Sequence, residues 1–358
     1  MMRVPFAAPC FDGNEAVYLA NVLHSTWITR GKQVELFEER MAYKLDVAEV
    51  VAVSSGTAAL HLALLALGVG AGDEVIVPTS TFIATANAVR YTGATVVFAD
   101  IDEKTWCLDV SHAAKLVTTR TKAIIPVHLY GALVDMDSLR DLALEADLHI
   151  VEDAAQAMGA RYRTAWAGTI GEVGCFSLYA NKLITTGEGG LLVTNDARLA
   201  ATAKKLHGQG QAFGRRYWHD MFGYNYRMTD LQGAIGLAQL ERIDTFFEKR
   251  WQVLKWYREY LKVGCIQRHL QNTLPGCWAF GVLFEDSTER MRVENALLLA
   301  RVETRPFFPP IHTMPMYKNG KSLPVSEDLA SRGLVLPIHA RMVESEVKDI
   351  AEIVNNAI

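Results

Sequence analysis

The sequence predicts an α/β protein: a large domain with a mostly parallel sheet covered by helices, followed by a smaller C-terminal α+β domain. Three observations predict it. From residue 49 onward, short β-branched runs alternate with helix-like stretches, the order of strands joined by crossover helices. The runs are nearly continuous in apolar residues, as strands buried on both faces are. From about residue 228 the alternation gives way to a long helical pattern and mixed elements. The expected division is a large domain over 1–235 and a small one over 236–358.

The elements follow in order. VVAV (50–53) is the first strand, and the helix 57–67 after it ends at the glycines of GVGAG. EVIVP (74–78) precedes a helix over 82–91, TVVFAD (95–100) one over 111–118, and KAIIPV (122–127) one over 135–146. HIVED (149–153), GCFSLY (174–179) and GGLLVTND (189–196) complete the strands, the last two flanking a Gly- and Thr-rich segment. Right-handed crossovers stack such units into one open sheet. Residues 229–262 read as one long helix, with apolar positions three and four apart. A strand (277–284), a helix (289–300), a Pro-rich loop (305–317) and a final helix (342–357) follow.

Composition narrows the function. Of 358 residues 50% are hydrophobic and only 11 are proline, which excludes a disordered chain. The 36 basic and 40 acidic residues give a formal net charge of −4, without clusters, so nucleic acid is not an expected partner. The five cysteines are scattered and form no CxxC pair, which fits thiols in a reducing cytoplasm. The N-terminus lacks a signal-peptide pattern, and the longest apolar stretches fall short of the roughly 20 residues that span a bilayer. The ten histidines are dispersed, so no metal site is expected. Gly68, Gly70 and Gly72 follow a helix and precede a strand, the reverse of a dinucleotide-binding loop.

Three places carry chemistry. Ser54-Ser55-Gly56-Thr57 follows the first strand and opens a helix; free amides and the helix dipole there suit either a phosphate or an ordinary N-cap. Glu152-Asp153 ends HIVED, with Gln156 three residues on. An acid at the carboxyl end of a strand serves as a helix cap or fixes a cationic ring nitrogen. Lys182 lies in NKLITTGEGG between two buried strands. It is either a solvated loop lysine or a lysine of lowered pKa able to form a Schiff base. Ser177 stands on the preceding strand, and Phe82 could stack on a ring or fill the core. Together these supply a phosphate site, a partner for a protonated pyridine and an imine-forming amine, the minimum equipment for pyridoxal 5'-phosphate.

At these residues the sequence resembles the DegT/DnrJ/EryC1/StrS sugar aminotransferases, fold-type I pyridoxal-phosphate enzymes with an aspartate aminotransferase-like fold. The blocks are SSGTAALHLAL, GDEVIVPTSTFIATANAV, PVHLYG, VEDAAQAMGA, FSLYANKLITTGEGG and NYRMTDLQGAIGLAQLER. The resemblance implies that Lys182 binds the cofactor and shuttles protons, that Asp153 pairs with the ring nitrogen, and that Gln156 contacts the ring hydroxyl. It further implies that Phe82 stacks on the ring and that Gly56, Thr57 and Ser177 hold the phosphate. Asn225 would reach in from the second subunit of a homodimer with composite active sites. His312 and Tyr317 match a loop near the sugar, and Arg215, Arg216 and Trp218 the nucleotide end. Related dehydratases carry His where this chain has Lys182, so the resemblance implies amino transfer, from glutamate to a nucleotide-linked 4-keto-6-deoxyhexose. Blocks 208–229 and 302–317 resemble members that use a GDP-linked sugar; a UDP- or dTDP-linked sugar, or a non-catalytic binding protein, is the alternative.

Overall fold

The structure, a computed structural model, describes residues 2–262, 264–318 and 320–358. Its strands run in order β1 (Glu49–Val53), β2 (Glu74–Pro78), β3 (Thr95–Ala99), β4 (Thr121–Ile124) and β5 (His149–Asp153). The short pair β6 (Arg161–Tyr162) and β7 (Ala165–Trp166) follows, then β8 (Val173–Ser177) and β9 (Gly190–Thr194). Seven of them form one sheet in the order β1-β9-β8-β5-β4-β2-β3. Pairing is parallel from β8 through to β3, while β9 runs antiparallel to both β1 and β8. The sheet is therefore mostly parallel, with one reversed strand that the run-by-run pattern did not distinguish.

Helices α1 (Glu15–Ser25) and α2 (Lys32–Leu45) precede the sheet, in a region where the strand–helix alternation had not yet begun. Among the crossovers are α3 (Gly56–Ala66), α4 (Ala84–Tyr91), α5 (Val110–Ala114) and α6 (Met136–Ala146); α7 (Ala197–His207) follows β9. Successive strand residues point to opposite faces, and the core divides accordingly. Val75 and Val77 pack with Leu60, Leu64 and Val89 on one side, and Ile76 packs with Ile124, Leu139 and Trp106 on the other.

The long helix predicted over 229–262 is two helices, α8 (Asp230–Leu240) and α9 (Ile243–Tyr260). No Gly or Pro marks the break. It falls at Arg242, whose guanidinium pairs with Asp12 and lies 4.9 Å from the Phe246 ring centroid. A contact with the N-terminal segment thus overrides the local helical pattern. Thr229 starts α8 with a capping box closed by Gln232.

The C-terminal part holds β10 (Cys265–Ile266), β11 (Thr273–Leu274), β12 (Phe280–Leu283), α10 (Ser287–Leu299), β13 (Arg305–Pro306), α11 (Pro324–Arg332), β14 (Gly333–Leu336) and α12 (Glu344–Asn356). Four of these strands make an antiparallel sheet, β10-β12-β14-β13. The Pro-rich segment expected to be loop begins with β13, because Arg305 and Pro306 pair with Val335 and Leu334. Tyr257, Leu297, Val347 and Ile350 cover this sheet. Among the described residues no helix is long and apolar enough to cross a membrane.

Candidate active site

Loops at the carboxyl ends of the parallel strands, where open α/β sheets gather ligands, enclose a cavity of about 590 Å³. Gly56 and Thr57, Phe82, Asp153 and Gln156, and Ser177 and Lys182 all line it. Segments more than a hundred residues apart thus converge on one space.

The start of α3 forms one wall. Ser55 is its N-cap, accepting from the amide of Ala58 at 3.1 Å; Gly56 and Thr57, ahead of that capped amide, line the cavity and leave their own amides for an anion. Two glycines permit this. A side chain at Gly190 of β9 would stand 2.5 Å from the Ser55 carbonyl carbon, and one at Gly56 would meet Ser177 Cβ at 3.0 Å. Their absence lets the helix start rest on the sheet beside the Ser177 hydroxyl.

Glu152 and Asp153 divide their work because consecutive strand residues face opposite ways. Glu152 is fully buried and accepts from His128 Nε2 at 2.9 Å and from the amides of Gly168, Ile170 and Gly171 at 2.6–2.7 Å. It organises the loop behind the sheet. Asp153 faces the cavity, where its Oδ2 accepts from Thr85 Oγ1 at 2.8 Å and its Oδ1 from the Ala155 amide at 3.2 Å. Burial pushes the Asp153 carboxyl up, while the bond from Thr85 and the charge of Lys182 pull it back. A cation facing this carboxylate would complete its compensation. Gln156 accepts from the Tyr130 amide at 2.8 Å through Oε1, leaving its amide nitrogen for a ligand.

Lys182 Nζ makes no hydrogen bond or ion pair with any described residue; it sits 4.4 Å from the Trp278 ring centroid. Removal from water lowers its pKa to about 8, although Asp153 pulls the other way. An amine that lines the cavity without a fixed partner is open to attack a carbonyl in its neutral form. Phe82 lies over the same space with 56% of its surface exposed, an unusual position for a phenylalanine without a ligand to cover.

Other lining residues escaped the sequence reading. Trp278 and Phe308 stack on the two sides of Tyr130, at 6.1 and 5.8 Å between centroids, and form an aromatic wall. Arg305 stands at the rim, bound to Glu303 at 2.6 Å and 5.2 Å from the Phe6 ring centroid. It and Lys182 are the cationic side chains lining the cavity. The RPFF run that carries Arg305 was the available signal.

Six predicted residues lie elsewhere. Asn225 is exposed and bridges to Gly208, outside the cavity of its own chain. Arg215, Arg216 and Trp218 are exposed on the neighbouring segment, with the Arg215 guanidinium 3.7 Å from the Trp218 ring centroid. His312 is buried and bonded on both ring nitrogens, to Thr79 at 2.8 Å and Glu327 at 3.0 Å. Tyr317 donates to Asn87 Oδ1 at 2.7 Å.

Phosphate-ready amides, a carboxylate needing a cation, an uncommitted lysine and an open aromatic fit pyridoxal 5'-phosphate in every part, and the class is that of the pyridoxal-phosphate transferases on an α/β sheet. The chain matches the DegT/DnrJ/EryC1/StrS aminotransferase family over residues 9–355 and belongs to it. It is 43% identical to the GDP-perosamine synthase of Escherichia coli O157:H7 over 359 residues, covering 99% of this chain and 98% of that one. Identity to the GDP-perosamine synthase of Caulobacter vibrioides is 44% over 354 residues, covering 96% and 95%. The PLP form of Spr1654 from Streptococcus pneumoniae has the same fold, with a TM-score of 0.94, 27% identity and coverage of 99% and 98%.

Proposed function

We propose that this chain transfers the amino group of glutamate to C4 of a GDP-linked 4-keto-6-deoxyhexose, giving GDP-perosamine for a surface polysaccharide such as an O-antigen. The observation that carries the reading is near-full-length identity of 43–44% to two GDP-perosamine synthases in a chain whose cavity sets an unpaired Lys182 opposite Asp153.

When bound, pyridoxal phosphate supplies an aldehyde and an electron-withdrawing ring that lets the amino group pass from donor to acceptor. The first turn of α3, with Thr57 and Ser177, would hold its phosphate. Asp153 would face the ring nitrogen and keep it protonated, Phe82 would stack on the ring, and Gln156 would contact the ring hydroxyl. With a pKa of about 8, about a tenth of Lys182 is neutral at pH 7, so its Nζ can accept a proton as well as return one. The aromatic wall excludes water from that exchange. Arg305 would meet the carboxylate of glutamate or the diphosphate of the sugar nucleotide.

The reading extends to a homodimer. Asn225 stands outside its own cavity, and Phe213, Tyr217 and Phe222 are exposed on the same segment. A second copy covering this face would receive Asn225 in its cofactor site and Arg215, Arg216 and Trp218 at its nucleotide end. His312 and Tyr317 would shape the sugar loop from behind. The cysteines are free, which supports the cytoplasm, a reducing compartment, as the location in this reading.

The test is an assay of purified protein with glutamate and, in turn, GDP-, UDP- and dTDP-linked 4-keto-6-deoxysugars. Turnover confined to the GDP sugar is expected; turnover of another alone would reassign the substrate, and none with any would leave a binding protein.

A further inference from the structure

Behind the cavity floor lies a cation that nothing in the reaction above uses. Arg250 of α9 is 4% exposed, the one arginine among the described residues in the core. Its Nη2 donates to the main-chain carbonyl of Lys182 at 2.7 Å. Its Nε and Nη1 are buried without a hydrogen-bond partner, and no described carboxylate pairs with it. A buried charge held by one carbonyl is costly, and burial lowers the guanidinium to about 10. Cores rarely keep so expensive a group for packing alone.

The placement says what the group is for. The Lys182 amide donates to Tyr179 O at 2.9 Å, so Arg250 completes a clamp on both sides of one residue's backbone. α9 itself is rigidly seated, with Phe246 in the core under the large sheet and Val253, Leu254 and Tyr257 under the small one. Resting on the functional reading above, we propose that Arg250 is a positioning residue for amino transfer, anchoring the carbonyl of Lys182 so that Nζ stands free between Asp153 and Trp278. Its uncompensated charge acts in the same direction as burial, keeping part of the amine neutral. The other groups around the pair are few. Asp153 faces Lys182; the thiols of Cys10 and Cys277 and the imidazole of His339, which Arg341 also approaches, face Arg250. None of them replaces the cation.

The test compares wild type, R250M and R250K as full-length protein. The first readout is the pH profile of Lys182 acetylation by acetic anhydride in the full-length protein freed of cofactor, so that Nζ is available to the reagent. It is measured by mass spectrometry with exposed Lys255 as internal reference and needs no turnover. The second is the kcat and KM of amino transfer, beside the melting temperature. Removing the charge in R250M raises the Lys182 midpoint by ~1 pH unit. Releasing the carbonyl lowers kcat by ~100-fold with KM nearly unchanged, the scale of a small misplacement of a reacting group. R250K keeps the charge but has a shorter stem, so the midpoint stays within ~0.3 units and kcat falls only ~10-fold. An unchanged midpoint and kcat in folded R250M overturns the proposal, as does loss of stability in both variants with the Lys182 profile unmoved. If R250M does not fold, R250K decides: wild-type kcat overturns the assignment, and a ~10-fold loss at unchanged KM and melting temperature supports it. A wild-type protein that transfers no amino group to any sugar would defeat the functional reading, while the acetylation profiles would still report on the clamp.

Discussion

The Thr85 hydroxyl donates to Asp153 Oδ2 at 2.8 Å, joining the second residue of α4 to the end of β5. The bond orients a carboxylate that has no cationic hydrogen-bond partner among the described residues and favours its ionised form. Removing it in T85V raises the Asp153 pKa further, because the neutral acid gains relative to the anion. Pyridoxal phosphate affinity is expected to drop by ~10-fold, the worth of one charge-assisted bond. An absorbance titration of the cofactor-free variant checks this; unchanged affinity would count against Asp153 as the ring's partner.

Lys182 destabilises the fold it serves. Its folded pKa of about 8 lies below its unfolded value near 10.5. Between those values the unfolded chain binds the extra proton, so stability rises with pH across that window, and the penalty is fully present below it. Cofactor-free K182M should therefore be more stable than wild type at pH 7, by up to about 3 kcal/mol, with the difference shrinking towards pH 10.5. Urea unfolding at several pH values measures it, and K182M should also abolish amino transfer.

Arg305 is predicted to act on binding more than on chemistry. R305M should raise KM for the sugar nucleotide or for glutamate by ~10- to 100-fold, the scale of a lost charge-assisted contact, with a smaller change in kcat. Steady-state kinetics with each substrate varied in turn identifies which anion it meets.

Glu152 is predicted to matter for stability alone. E152Q leaves at least one of its buried amide partners or His128 unsatisfied and should cost about 2–4 kcal/mol, read by chemical denaturation. The folded fraction should keep near-normal kcat, since the Glu152 side chain does not line the cavity.

The proposed exchange of Asn225 between copies is tested by a mixing experiment. In a composite site K182A and N225A would each damage a different subunit's contribution. Random reassociation of equal amounts should restore native composition to about a quarter of the sites; no recovery would refute the exchange of Asn225 between copies.

Much of the site was legible because its residues sit where the chain changes state. Gly56 and Thr57 open a helix, Asp153 ends a strand, and Lys182 interrupts two apolar runs. Polar residues at such junctions stand out against their neighbours. Thr85, Tyr130 and Trp278 did not, because each lies in a stretch whose local pattern reads as ordinary packing and only tertiary structure brings it to the cavity. The break between α8 and α9 was hidden for the same reason, since Asp12 lies over two hundred residues from Arg242. The reversed direction of β9 left no trace either, because a strand buried on both faces has one hydropathy pattern whichever way it runs.

That reversed strand sets an order of assembly. Lys182 hangs on a hairpin between adjacent strands, tied by Leu178 N to Gly189 O and Thr186 N to Leu178 O at 2.9 and 3.0 Å. Such a turn closes over a short loop and is quick to form. Asp153, Phe82 and the α3 start arrive on strands that pair only after long crossovers. During refolding the lysine should therefore be locally ordered before its surroundings exist, with the ordinary basicity of a hydrated amine. Pulse-labelling of amines on the refolding timescale would show it slipping from reactive to guarded as the last crossover docks.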